Sequence, residues 1–157
     1  MAILSASEVF GFAIRVEENG ERFYKSFSDR FQESIQRELF SYLAKEEGKH
    51  RETFEKLLNG VVHETPPTSY PDEYMTYLQA YADGLIFTDS ALEKEVEKIS
   101  SANEACEFGI RRELDSILYY QEIKTFVPEH ERDLIDSIIS EERGHFIKLT
   151  EMKKKLQ

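Results

Sequence analysis

Cysteine, tryptophan, proline and glycine are the residues this chain nearly does without. One cysteine, Cys106, in 157 residues rules out an internal disulfide framework and any CxxC pair. A reduced, cytoplasmic setting is expected. Tryptophan is absent, and 4 prolines and 7 glycines leave few breaks in a chain rich in Glu and Leu. That mixture points to helix. Basic residues are outnumbered 20 to 31, for a net charge of −11, so no basic face is expected for nucleic acid or an anionic membrane. No apolar run approaches the ~18 residues of a membrane span. The opening residues, MAILSASEVFGFAIRVEE, lack the basic start of a signal peptide.

What is present, 40% apolar and 32% charged residues, suits one soluble helical domain over 1–157. Ser5-x-x-Glu8 has capping-box spacing, and Phe10, Ala13, Glu17, Gly20, Tyr24, Phe27 and Phe31 follow at intervals of three and four. This is one helix face, apolar except at Glu17. A joint at 32–34 leads to a second helix over about 34–58, with Phe40, Leu43, Glu47, His50, Phe54 and Leu57 inward and Gly60 as its stop. Residues 61–100 form a long connection punctuated by Pro66, Pro67, Pro71 and Gly84, with Tyr70, Tyr74, Tyr77 and Tyr81 at helical spacing. Short helices are expected in it at about 72–82 and 90–99, the latter opened by Ser90-x-x-Glu93. A third long helix starts at the Ser101-x-x-Glu104 box with Cys106, Gly109, Glu113, Ser116, Tyr120 and Ile123 inward. Pro128 suits the first turn of a fourth, whose inner face is Ile135, Ile138, Glu142, His145, Leu149 and Met152. Each pair joined by a short turn is antiparallel, and the long connection is expected to start the second pair from the same end as the first. Four helices with one long crossover is the ferritin-like bundle.

The halves repeat. Shifted by 96, Ser5–Tyr24 and Ser101–Tyr120 share eight of twenty residues, where unrelated segments would share about one or two. Shifted by 95, Glu46-Glu47-x-x-His50 falls on Glu141-Glu142-x-x-His145. The repeat superposes Glu17 on Glu113 and one Glu-x-x-His motif on the other.

On a helix, residues i and i+3 project to one side a turn apart, so the Glu and His of each motif can share a metal neighbourhood. Glu17, Glu47, His50, Glu113, Glu142 and His145 supply four carboxylates and two imidazoles, a charge match for two divalent cations. Without metal, four buried carboxylates would be costly, at several kcal/mol or more per isolated ion. The mixed oxygen and nitrogen set suits iron or manganese, with zinc possible. Glu46 and Glu141 are expected beside the site, and His63 and His130 outside it. Tyr24 and Tyr120 lie seven residues beyond Glu17 and Glu113 on the same faces. Each can bond a ligand carboxylate or simply fill the core. Gly20 and Ser116 are small at matching positions, which leaves space for a small molecule or allows close packing.

AIRVEENGERFY (13–24), LAKEEGKH (43–50), GIRRELDSILYY (109–120) and SEERGHF (140–146) resemble the rubrerythrin-like branch of the ferritin-like superfamily. The resemblance implies two iron ions per chain that react with hydrogen peroxide or dioxygen, held by these six residues. It also implies a place in oxidative-stress chemistry. Two features depart from the family. One cysteine cannot build a rubredoxin-type iron site, so electrons come from an external redox partner or from Fe(II). Ile110 stands where rubrerythrins commonly carry an extra glutamate. The expected activity is reduction of peroxide or dioxygen. The alternatives are a ferroxidase acting on Fe(II) and a metal-stabilised bundle without turnover. A homo-oligomer, dimer or larger, is expected.

Overall fold

Ser5 opens the first helix as the spacing predicts: its hydroxyl accepts from the Glu8 amide, and the Glu8 carboxylate accepts the Ser5 N–H at 2.7 Å. The computed structural model describes residues 5–61 and 71–157. Its α-helices are α1 (Ala6–Arg30), α2 (Ser34–Val61), α3 (Asp72–Leu85), α4 (Asp89–Lys98), α5 (Ala102–Ile123) and α6 (Arg132–Leu156). Two 3₁₀ turns, Lys124–Phe126 and Glu129–Glu131, join α5 to α6. No described helix is long and apolar enough to cross a membrane.

The ends of the elements depart from expectation where local chemistry decides them. Gly60 does not stop α2: no described glycine has positive φ, and the helix continues to Val61. Thr88, not Ser90, caps α4 by accepting from the Ala91 amide. The second capping box is half formed: Ser101 accepts from Glu104 N–H, but the Glu104 carboxylate turns to the Ser100 amide at 2.7 Å. Pro128 precedes a 3₁₀ turn, and α6 begins only at Arg132. His63, Pro66, Pro67 and Tyr70 lie outside the described residues.

α1 packs on α2 and α5 on α6, and the two hairpins close into a bundle through α1–α5 and α2–α6. Their relative direction corrects the sequence reading. Tyr119 donates to the Val9 carbonyl at 3.0 Å, while the Tyr24 hydroxyl lies against Gly109. Hence α1 and α5 run antiparallel, and the second pair starts from the opposite end. The connection must therefore travel the length of the bundle. Its two helices, of 14 and 10 residues, supply about 21 and 15 Å, matching the roughly 37 Å of α1 at 1.5 Å per residue.

Two apolar clusters fill the ends. One gathers Val9, Phe10, Phe54, Leu57, Ile123, Phe126, Ile135 and Ile138 with Met75, Leu78, Ala82 and Leu85 of α3. The other gathers Phe23, Phe27, Phe40, Leu43, Cys106 and Leu149 with Leu92 and Val96 of α4. Polar groups fasten the crossover between them. The buried Asn19 amide donates to the Phe87 carbonyl and accepts the Phe87 N–H at 2.8 Å. Arg112, also buried, donates to the Leu85 carbonyl and lies over the Phe87 ring at 4.8 Å.

Candidate metal centre

Between the apolar ends lies a polar middle layer. Glu17, Glu47, His50, Glu113, Glu142 and His145 are all buried, at 5% exposure or less. They arrive from four helices because each occupies an inward position of an apolar stripe. Their atoms form two groups. Glu17, Glu47, His50 and Glu142 place one ligand atom each within 4.8 Å of one another, as do Glu47, Glu113, Glu142 and His145. Glu47 and Glu142 belong to both groups; Glu17 and Glu113 belong to one each. The sequence repeat has become a geometric one, with each half supplying a private glutamate, a private histidine and a shared carboxylate.

The histidines aim their Nδ1 atoms inward. His50 Nδ1 is 3.1 Å from Glu142 and 3.7 Å from Glu17. His145 Nδ1 is 3.0 Å from Glu142 and 3.1 Å from Glu47. Glu141, on the flank, lies 2.7 Å from His50 Nε2. An Nε2–H donated there keeps Nδ1 as the nitrogen that faces the carboxylates, the arrangement that orients a metal-binding imidazole once the Nδ1 proton has left. Glu46, the repeat equivalent of Glu141, pairs with Lys49 instead. Sequence reasoning placed both beside the site but had no means to separate them. The distinguishing signal is the third residue beyond each, Lys49 in one half and Gly144 in the other. His130 is exposed and remote from the cluster.

Tyr24 and Tyr120 bond the cluster crosswise: Tyr24 donates to Glu113 and Tyr120 to Glu17. Each phenol thus holds the private glutamate of the other half. Gly20 lets Glu47 approach closely, since a Cβ there would stand 3.0 Å from Glu47 Oε2. The small residue makes room for a carboxylate rather than for a free space.

The electrostatics show a cluster short of positive charge. Burial, then repulsion from Glu142, Glu17 and Glu113, raises the Glu47 carboxyl well above its ordinary range. Burial and the neighbouring Glu142 raise Glu113 likewise. Burial opposes charge on His145, but hydrogen bonds to Glu113, Glu142 and Glu47 push its pKa up to about 12. His50 is raised by Glu142 and Glu17 against the same penalty. Glu142 is lowered, because bonds from both imidazoles outweigh its burial. Protons stand in for cations. Glu17 Oε2 is buried and accepts no hydrogen bond, and buried Glu47 Oε1 faces only the shared His145 Nδ1 at 3.1 Å. Buried acceptors without donors are expensive, at about 1–3 kcal/mol each. Two divalent ions would supply both with partners and neutralise the four carboxylates, so the residues present fit a binuclear metal site.

The structure of a Thermotoga maritima protein described as a ferritin-like diiron-carboxylate protein superposes with a TM-score of 0.75 at 28% identity, over 100% of this chain and 99% of that one. No protein of curated function matches the chain. The family model for rubrerythrin matches residues 8–153. That span takes in nearly all of the four long helices and all six clustered residues, and the chain belongs to the rubrerythrin family.

Proposed function

We propose that the chain is a di-iron oxidoreductase that reduces hydrogen peroxide or dioxygen with electrons from an external donor. The observation that carries this reading is the pair of ligand groups sharing Glu47 and Glu142. Glu47 and Glu142 would hold two ions side by side, and such a pair would supply Lewis-acid and redox chemistry to one O–O bond. Six protein ligands for two ions leave coordination positions open for that molecule. Family membership and the diiron-carboxylate description of the Thermotoga maritima neighbour support iron as the occupant. In this reading Glu17 and His50 serve one ion, Glu113 and His145 the other, and Glu47 and Glu142 both.

When bound, the iron pair supplies two electrons and a Lewis-acidic template for O–O cleavage. The chain supplies the rest. Tyr24 and Tyr120 fix Glu113 and Glu17 by hydrogen bonds and are placed to move a proton at those carboxylates. The Phe54 ring, 4.8 Å from the Tyr120 ring, and the Leu149 side chain beside Gly109 close the layer against water. A change of metal charge in this buried layer would have to be met by the chain. Carboxylates that can pass between proton and metal as partners are suited to absorb that change.

The test is metal analysis of iron-replete protein, then anaerobic reduction and stopped-flow mixing with peroxide and with dioxygen. Two metals per chain, and oxidation faster than that of free Fe(II), are expected. A redox-inert zinc occupant, or no acceleration, would remove the reading. Turnover with a donor separates it from ferroxidase action, which ends in ferric product retained or passed on.

A further inference from the structure

The tyrosines of α3 were prominent in the sequence, and the metal centre does not use them. The rings of Tyr77 and Tyr81 lie 6.0 Å apart, Tyr81 and Tyr119 6.0 Å, and Tyr119 and Tyr120 6.2 Å. Tyr120 in turn donates to Glu17. Each centroid separation is within the range of rings in contact. The series therefore runs without interruption from a carboxylate of the candidate metal centre to Tyr77, which is 47% exposed.

Packing alone does not ask for tyrosine at these positions, and the repeat shows it. Tyr119 corresponds to Phe23, and Tyr120 to Tyr24. Around Tyr24 the neighbouring rings are Phe23 at 4.4 Å and Phe40 at 6.3 Å. Phenylalanine is not oxidised at potentials that oxidise phenols, so that half is closed to charge. In the other half the Tyr119 hydroxyl is buried and needs its bond to the Val9 carbonyl. Phenylalanine would avoid that demand. The half with oxidisable rings is also the half that reaches the surface.

We infer that Tyr120, Tyr119, Tyr81 and Tyr77 form an electron relay between the metal centre and an outside reductant of the thiol or ascorbate class. This rests on the di-iron reading. In each passage one electron leaves the Tyr77 phenol and moves inward through Tyr81, Tyr119 and Tyr120 to the metal pair. Each phenol is oxidised by its inner neighbour and reduced by its outer one. The Tyr120 proton shifts to Glu17 and returns, the Tyr119 and Tyr81 protons shift along their bonds to the Val9 and Asp115 carbonyls and return, and the Tyr77 proton goes to water. The reductant then restores an electron and a proton to the Tyr77 phenoxyl. Hydrogen peroxide is the oxidant: once the iron pair has given its own two electrons to one peroxide, two passages deliver the two electrons that, with two protons from solvent, cleave the O–O bond of a second to give two waters. Two thiols become one disulfide. The relay gives a chain without a rubredoxin-type site its own route for electrons.

The test uses the full chain loaded with Fe(II) without oxygen and mixed with an excess of hydrogen peroxide over the iron pair and a phenoxyl-trapping nitroso compound. Adducts are mapped by peptide mass spectrometry, and iron oxidation is followed by absorbance in the same samples. The adduct is expected on Tyr77 in the native protein and lost in both Tyr119→Phe and Tyr81→Phe, with metal content and iron oxidation retained. Should Tyr119→Phe fail to fold, Tyr81→Phe makes the same break, since among the described residues its hydroxyl bonds the Asp115 carbonyl alone, on neighbouring α5. Iron oxidation without an adduct on Tyr77, or an adduct that persists in the variants, overturns the relay and leaves the di-iron reading standing. Iron that peroxide does not oxidise overturns both.

Discussion

A glutamate shared between two metals and a glutamate serving one have different consequences when removed. Glu47→Ala and Glu142→Ala are expected to lower metal content from two ions per chain toward none, whereas Glu17→Gln lowers it to one; anaerobic Fe(II) titration followed by metal analysis distinguishes them. In the metal-free protein the sign reverses. Glu47 is held protonated by burial and by three neighbouring carboxyls, so Glu47→Gln is expected to raise metal-free stability by about 1–2 kcal/mol in denaturant melts. Gly20→Ala makes the same contrast by sterics. The added methyl gains about 0.5–1 kcal/mol of helix stability where the Glu47 side chain can give way. It weakens metal binding where the ion holds Glu47 Oε2 in place, 3.0 Å from the new carbon. The inward positions of these six residues were legible in the sequence because helical periodicity turns a lone polar residue in an apolar stripe into a location. The crosswise phenol bonds were not. Spacing places Tyr24 near Glu17 on its own helix, but the hydroxyl reaches Glu113 across the bundle. Only helix packing decides that.

At the scale of elements, the crossover shows what periodicity leaves out. Its two short helices were readable from their spacing, yet their path along the whole bundle was not, because sequence pattern carries no direction between elements far apart. Asn19 and Arg112 were missed for a related reason. Both look like solvent-facing polar residues until α3 and α4 cover them, and then they satisfy the backbone at the α3–α4 joint. Asn19→Ala removes both partners of Phe87 and is expected to cost about 1–3 kcal/mol. Amide exchange should quicken over 85–99 while two metals still bind, since no residue of α3 or α4 belongs to either ligand group. Faster exchange confined to the centre itself would show instead that the joint and the metal layer unfold as one. The capping residues permit smaller tests of the same kind: Thr88→Ala removes the only side-chain cap of α4 and should cost about 1 kcal/mol.

For the whole molecule, the middle layer makes proton and metal competitors, and this fixes how stability depends on pH. Metal-free, Glu47 and Glu113 keep protons well above their ordinary range, and His145 does so up to about 12. The unfolded chain gives up the same protons near 4.5 for the carboxyls and 6.5 for the imidazole. Between those values and the raised ones the native state holds more protons than the unfolded state, so stability falls as pH rises. Glu142, lowered below its ordinary value, contributes with the opposite sign only as pH drops through the carboxyl range. Repulsion among the surface charges, net −11, acts in the same direction as the buried groups. Metal binding must expel the raised protons, so its affinity rises with pH over the same interval. Metal-free protein is therefore expected to melt at a lower temperature at about pH 8 than at about pH 5.5, while the stabilisation added by two metals grows. Calorimetric titration in buffers of different ionisation enthalpy should register protons released per metal bound. A metal-free melting temperature that climbs with pH, or binding without proton release, would mean that the cluster is ionised before metal arrives, with its four carboxylates held apart by something other than protons.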